Sequence, residues 1–253
     1  MSLTISQLSL LFLIFFAIAF IYSSVGFGGG SSYLAILGIT LINFYMIRTT
    51  ALLCNLFVVS GSCYLFYKNG HLKFKRFAPY VITSIPLAFI GALFNLGQKT
   101  FFIILGSVLI FSAFFLIYQS LEKNNDLITK EYPTYFSYIL GALIGFLSGI
   151  VGIGGGIFLA PILNHLKWDK PIVISSLASF FILVNSVSAL FGLSYGGSLS
   201  ILWPNIIVLI IAVVLGGQLG VRLSIVKFSP KLIRILTAVL VFFAGIRILI
   251  NTL

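Results

Sequence analysis

The chain alternates between long apolar stretches and short polar ones. Ten apolar segments occur along its 253 residues, five in each half, at about residues 8–25, 29–42, 49–67, 77–96, 101–119, 135–150, 154–166, 172–195, 201–220 and 232–250. A helix rises about 1.5 Å per residue, so segments of roughly eighteen residues can cross a hydrocarbon core of about 30 Å. The second and seventh segments are too short to do so. The pattern predicts an all-α polytopic membrane protein with about eight to ten membrane segments.

Composition supports this class and excludes others. The chain is 60% hydrophobic and 8% charged, with a mean hydropathy of +1.20, which is not compatible with a soluble domain. Fifteen Lys and Arg residues face only four Asp and Glu, but the basic residues lie singly or in small groups between apolar segments. Such a distribution is typical of topology determinants in a bilayer and does not indicate nucleic acid binding. Cys54 and Cys63 are expected to be small buried hydrophobes.

A glycine cluster occurs twice inside apolar sequence. Residues 25–30 read V-G-F-G-G-G and residues 151–156 read V-G-I-G-G-G. Glycine is poorly suited to a helix interior, so each cluster marks a point where a helix breaks. An alternative is that the glycines form a face for close helix packing, as expected for Gly141, Gly145 and Gly149 at four-residue spacing. Two equivalent clusters, each followed by a short apolar piece, favour discontinuous helices near a substrate site.

The two halves of the chain align at an offset of 126 residues. This offset places Gly28 to Gly30 on Gly154 to Gly156, and Thr49 and Thr50 on Ser175 and Ser176. The coincidence predicts an internal duplication, with repeat 1 at residues 1–120, a cytoplasmic linker at 121–134 and repeat 2 at 135–253.

The basic residues predict how the halves are oriented. The loop at residues 68–76 carries four, whereas its counterpart carries none; residues 222–234 carry four, whereas their counterpart carries one. Placing basic loops in the cytoplasm leaves only Arg48, Lys99 and Arg247 outside. This assignment requires inverted repeats, each a helical hairpin broken at G-x-G-G-G followed by three transmembrane helices, with both termini outside the cell membrane. An eight-span arrangement with parallel halves is the alternative.

The glycine turns are candidate anion sites. A helix that begins after a break has unpaired N–H groups and the positive end of its dipole at that point, and glycine lets an anion approach closely. Hydroxyl and amide side chains within the spans add donors without a buried charge. Single hydroxyls can instead bond their own helix, and Arg222 can instead be a cytoplasmic anchor. The candidate substrate-binding residues are Gly28, Gly29, Gly30, Ser31, Ser32, Thr49, Thr50, Asn55, Gly154, Gly155, Gly156, Ser175, Ser176, Asn185, Gln218 and Arg222.

Catalytic chemistry finds no support in the sequence. All four acidic residues lie in predicted loops, which argues against an embedded carboxylate relay. No nucleophile–base constellation, zinc motif or phosphate-loop lysine is found, so neither an enzyme activity nor a metal or cofactor is expected.

The chain has two glycine turns about 125 residues apart, each followed by an apolar piece and a Thr or Ser pair. In these features it resembles the sulfite exporter TauE/SafE family of membrane permeases over essentially its whole length. The resemblance implies export or uptake of small sulfur-containing anions such as sulfite or sulfoacetate. It points to the glycines of both turns, with Thr49, Thr50, Ser175 and Ser176 as neighbours. Ser31 and Ser32 stand where the second repeat has Ile157 and Phe158, so the turns need not contact a substrate equally.

The sequence therefore predicts a secondary transporter of small anions that works by alternating access. A passive anion channel is the alternative, and it would need a continuous aqueous path. A membrane scaffold is disfavoured, because it gains nothing from two helix interruptions. The sequence leaves open the identity of the anion, its direction, the coupling ion, and the choice between monomer and homodimer.

Overall fold

The computed structural model describes residues 5–24, 26–40, 44–94, 96–121, 129–224 and 230–252. These residues form ten helices, one for each apolar segment predicted from the sequence, and they contain no strand. The helices are α1 (Ile5–Ser23), α2 (Gly30–Thr40), α3 (Phe44–Lys68), α4 (Phe74–Leu93), α5 (Gln98–Leu121), α6 (Thr134–Val151), α7 (Gly156–His165), α8 (Pro171–Tyr195), α9 (Asn205–Ser224) and α10 (Pro230–Thr252).

Seven of these helices contain a stretch long and apolar enough to cross a membrane: α1, α3, α4, α5, α6, α8 and α9. Helix α7 has 10 residues and α2 has 11, so neither can cross alone. The chain is thus an all-helical multi-pass membrane protein, and the total of eight to ten membrane segments stays a prediction. Part of the predicted linker, residues 122–128, lies outside the described residues.

Glycines bring two pairs of helices into backbone contact. A Cβ atom on Gly145 of α6 would lie 2.6 Å from the carbonyl oxygen of Ser84 on α4, and Gly141 and Gly149 face the backbone of α4 in the same way. Small residues allow this approach, which confirms the close packing predicted for the three glycines. On α9, Gly216 and Gly220 face the carbonyls of Phe16 and Phe20 on α1.

Polar contacts define the two ends of the helix bundle. At what we call the basic end, the turn before α4 meets the turn before α8, where Lys73 Nζ lies 3.3 Å from Asp169 Oδ2. The segment before α6 joins this end, since Tyr132 donates from its hydroxyl to the Leu166 carbonyl at 2.9 Å. At the opposite end, the Ser200 amide after α8 donates to Thr49 Oγ1 near the start of α3 at 3.3 Å.

The helix contacts repeat when the first five helices are exchanged with the last five. Helix α1 packs on α9 as α6 packs on α4, α2 packs on α3 as α7 packs on α8, and α2 packs on α10 as α7 packs on α5. Helices α3 and α8 pack on each other and have the largest buried shares of the seven spans. They form the centre of the bundle, against which both glycine turns rest.

Candidate functional site

The first glycine turn separates α1 from α2. Helix α1 ends at Ser23, and the chain reverses through Gly26 and Gly29, whose φ angles are +84° and +88°. Glycine adopts such left-handed angles without a steric penalty, which explains its use here. Helix α2 begins at Gly30, and Ser32 is the first of its residues whose amide donates back to Gly29, at 3.0 Å. The N–H groups of Gly30 and Ser31, the first two residues of α2, are those that a helix start leaves without helical partners.

The second glycine turn has the same construction. Helix α6 ends at Val151, and Gly152 caps it with a φ of +80° and an amide bonded to the Ser148 carbonyl at 2.7 Å. Gly154 and Gly155 also have positive φ angles, and α7 begins at Gly156. Both helices are therefore interrupted at the clusters that the sequence analysis identified.

Asn55 on α3 joins the two turns. A Cβ atom on Gly28 would overlap its Oδ1, a Cβ atom on Gly30 would overlap its Nδ2, and one on Gly154 would lie 3.3 Å from Nδ2. Asn55 Nδ2 donates to the Ile153 carbonyl at 2.9 Å, while Oδ1 has no hydrogen-bond partner among the described residues. The amide side chain is fully buried. The structure thus brings Gly28, Gly30, Asn55 and Gly154 into one place.

Helix α8 contributes the polar groups on the other side of the second turn. Ser186 Oγ would lie 3.2 Å from a Cβ atom on Gly154, and Ile182 packs against Gly28, Gly154 and Gly156. Asn185 is fully buried beside Ser186 in the sequence. Neither its amide atoms nor Ser186 Oγ has a partner in the part of the chain that the structure describes. Ser186 was not among the predicted site residues, although it aligns with Ser60 in the other half.

The hydroxyl side chains predicted at the site lie in different parts of the fold. Ser31 and Ser32 face Tyr22 of α1, whose hydroxyl lies 2.7 Å from Ser32 Oγ. Thr49 donates to the Tyr45 carbonyl, which is the bond to its own helix that the sequence analysis kept as an alternative. Thr50 is buried, and its hydroxyl has no partner within the described ranges.

The equivalent serines lie at the basic end. Ser176 donates to the carbonyls of Val173 and His71, at 2.8 and 2.9 Å. The Ser175 carbonyl would lie 2.6 Å from a Cβ atom on Gly26, so its backbone packs against the first glycine turn. Ser179, which the sequence analysis did not select, donates to the Gly26 carbonyl at 2.8 Å.

Two candidates lie away from the junction of the turns. Gln218 on α9 packs against Gly61 of α3, and Arg222 is exposed in the last turn of α9. Arg48 also lies in a place that was not predicted, because the sequence analysis counted it among the outer topology residues. It is 1% exposed on α3, and its Cβ lies 3.7 Å from where a Cβ on Gly152 would be.

Described residues also line two cavities away from the junction. One of about 420 Å³ lies at the opposite end, lined by residues that include Lys99, Gln98 and Asn251. The other, of about 880 Å³, is an apolar groove between α4 and α8. Neither is lined by a glycine of the two turns, and Asn55 at their junction is fully buried.

The fold and the paired helix breaks define a class, the polytopic membrane transporters with discontinuous helices. Residues 11–248 match the model of a family described as "Sulfite exporter TauE/SafE", and the chain belongs to that family. It is 32% identical over 238 residues to a "Probable membrane transporter protein" of Sinorhizobium fredii, covering 93% of this chain and 95% of that protein.

A second similar protein comes from Methanocaldococcus jannaschii and has the same description. It is 27% identical over 146 residues, which cover 53% of this chain and 52% of that protein. No solved structure matches the chain. Membership of this family and similarity to these two proteins identify the chain as a membrane transporter.

Proposed function

We propose that the protein is a secondary transporter of small anions, with sulfur-containing oxyanions or organosulfonates such as sulfite or sulfoacetate as its substrate class. The observation that carries this proposal is the meeting of two helix breaks at one buried amide, Asn55. Helix starts supply amide donors and a positive dipole end, which suit an anion. The family name supports the sulfur-containing class.

We further propose that the halves are inverted repeats. Helix α1 lies parallel to α9, because Phe16 meets Gly216 and Phe20 meets Gly220. Helix α6 likewise lies parallel to α4, along the three glycines described above. Since α4 leaves the basic end and α9 approaches it, α1 and its counterpart α6 run in opposite directions. The start of α1 and the end of α10, whose Asn251 lines a cavity with Gln98 of α5, then lie at the opposite end. We place this end outside the cell membrane by the distribution of basic residues.

This arrangement supports the proposal of alternating access. The basic end is held by contacts between the halves, because Asp169 of the second half pairs with Lys73 and Arg76 of the first. The Arg76 guanidinium also lies over the Trp168 ring, 4.7 Å from its centroid. The opposite end is joined across the halves by the Ser200–Thr49 hydrogen bond. We propose that rocking one repeat against the other breaks one set of contacts at a time and exposes Asn55 to alternate sides.

Flux in reconstituted vesicles tests the function. We expect uptake of labelled sulfite or sulfoacetate to saturate, and to accelerate when the vesicles contain the unlabelled anion, because a carrier returns faster when loaded. Vesicles without protein are the control. Uptake that rises linearly with concentration and shows no counterflow would identify the passive anion channel instead. No uptake of sulfite, sulfoacetate, thiosulfate or sulfate would contradict the substrate class.

Asp169→Asn tests the closure at the basic end. The side chain of Asp169 is 5% exposed and has two cationic partners, so removal of its charge weakens closure. The partners are partly exposed, which limits the effect to about 1 kcal/mol, or roughly fivefold. The reporter is Ser179→Cys in protein that lacks Cys54 and Cys63. We expect Asp169→Asn to make this cysteine react about fivefold faster with an impermeant thiol reagent added from the basic end.

Glu131→Gln is the matched control, since it makes the same chemical change on an exposed residue before α6. Equal labelling rates for Asp169→Asn and the unchanged protein would show that this ion cluster does not hold the basic end closed.

A further inference from the structure

Arg48 is a buried cation without a matching anion among the residues that the structure describes. Its side chain is 1% exposed, and only Nη2 is bonded, to the Gly149 carbonyl at 2.9 Å. Nε and Nη1 have no hydrogen-bond partner among the described residues. Of the two described carboxylates, Asp169 is paired at the basic end and Glu131 is exposed before α6. A buried charge is expensive unless it is paired, so this arrangement requires a functional explanation.

The surroundings of Arg48 compensate its charge only in part. The Gly149 carbonyl lies in the last turn of α6, where the helix dipole is negative. The guanidinium carbon also lies 5.7 Å from the centroid of the Phe101 ring. A carbonyl and an aromatic face carry partial charges, whereas a guanidinium whose Nε and Nη1 have no partner among the described residues matches a carboxylate or an oxyanion.

The duplicated fold does not demand an arginine at this position. At the offset of 126 residues, Arg48 aligns with Ile174 of α8, which is fully buried beside the first glycine turn. The same place in the other half is therefore filled by an apolar side chain. Arg48 makes the two turns unequal in charge, and the extra charge lies at the second turn, beside Gly152.

We infer that Arg48 is a substrate-binding residue that holds the anion at the second glycine turn through its Nε–H and Nη1–H groups, while Nη2 stays on Gly149. This inference rests on the proposed function, because it takes the cargo to be an anion. The guanidinium supplies the full positive charge that the backbone amides and Asn55 lack. The anion in turn supplies the negative charge that Arg48 lacks. Binding and release of the substrate thus change the charge balance inside the bundle.

The test compares Arg48→Gln with the matched control Arg247→Gln. Glutamine keeps an amide donor but removes the charge, and Arg247 is an exposed cation on α10. Affinity is measured by titration calorimetry on monodisperse purified protein, with sulfite, sulfoacetate, thiosulfate and sulfate as probes. We expect Arg48→Gln to weaken binding about tenfold or more and Arg247→Gln to leave it within twofold.

Melting temperature without anion separates binding from a structural role. A residue kept for the fold would lower it when replaced, whereas loss of an unpaired buried charge leaves it unchanged or raises it. Arg48→Met, which keeps an unbranched stem in place of the arginine stem and removes all donors, is the second variant if Arg48→Gln does not fold.

Each remaining outcome has a defined meaning. Unchanged affinity in the folded Arg48 variant overturns the inference and leaves the proposed function standing. Equal losses in the Arg48 and Arg247 variants also overturn it, because they indicate a general effect of net charge. If the unchanged protein binds none of the four anions, the proposed function fails and the assignment of Arg48 fails with it.

Discussion

Gly28→Ala is expected to reduce transport to the level of empty vesicles while the protein stays folded. A methyl group at this position would overlap Asn55 Oδ1, and the φ angle of Gly28 is not in the left-handed region. The change therefore adds volume without backbone strain. Asn55 must turn away, which breaks its bond to the Ile153 carbonyl and separates the two turns. Such overpacking costs about 1–3 kcal/mol, which a folded bundle can tolerate, whereas the geometry of the junction is lost.

The measurement is initial uptake of labelled sulfite or sulfoacetate at matched protein density, with the melting temperature as the check on folding. Gly97→Ala is the control, because a Cβ atom at Gly97 meets nothing within 4 Å. It should transport at the unchanged rate. Normal transport by Gly28→Ala would show that contact between the first turn and Asn55 is not needed for function.

The helix breaks could be predicted from the sequence, because glycine clusters act locally. Both turns use left-handed φ angles at glycines of the motif. In the second turn, Gly152, Gly154 and Gly155 all have positive φ angles, which favour glycine over other residues. The close packing along Gly141, Gly145 and Gly149 was predictable for the same reason, since spacing on one helix places small residues on one face.

Contacts between distant segments could not be predicted in this way. Arg48 precedes the predicted start of the third segment at residue 49, so it was interpreted as a cation in a loop. In the structure α3 starts at Phe44, and Arg48 is buried against Gly149 of α6, 101 positions away. Asn55 was among the predicted candidates, but at the offset of 126 residues it aligns with Phe181, so the repeat gave no support for its selection. Its importance comes from touching both turns, which only the folded chain reveals.

Hydroxyl groups show the same limit. Ser31 and Ser32 follow the first turn, and the sequence analysis assigned them to the anion. In the structure they face the hydroxyl of Tyr22 on the preceding helix. A local pattern identifies which residues can donate, but the partner is set by packing between α1 and α2. The assignment of individual donors to a substrate accordingly stays a prediction.

Gly145→Val is expected to cause a large loss of stability, whereas Gly28→Ala is expected to cause mainly a loss of transport. A Cβ atom at Gly145 would lie 2.6 Å from both the Cα and the carbonyl oxygen of Ser84. Carbon atoms in contact need about 3.5–4.0 Å, so α4 and α6 would have to separate by about 1 Å along their interface. Both contacts are with backbone, which cannot rotate away as a side chain can. We expect a loss of about 3 kcal/mol or more.

Thermal unfolding in detergent, followed by size-exclusion chromatography, measures this loss, with Gly97→Val as the exposed control. A melting temperature equal to that of the unchanged protein would show that α4 and α6 do not depend on backbone contact. Together with Gly28→Ala, the experiment divides the glycines by role. Those at the turns leave room for the Asn55 side chain, and we propose that they leave room for an anion as well. Those along α6 hold together the helices that position the turns.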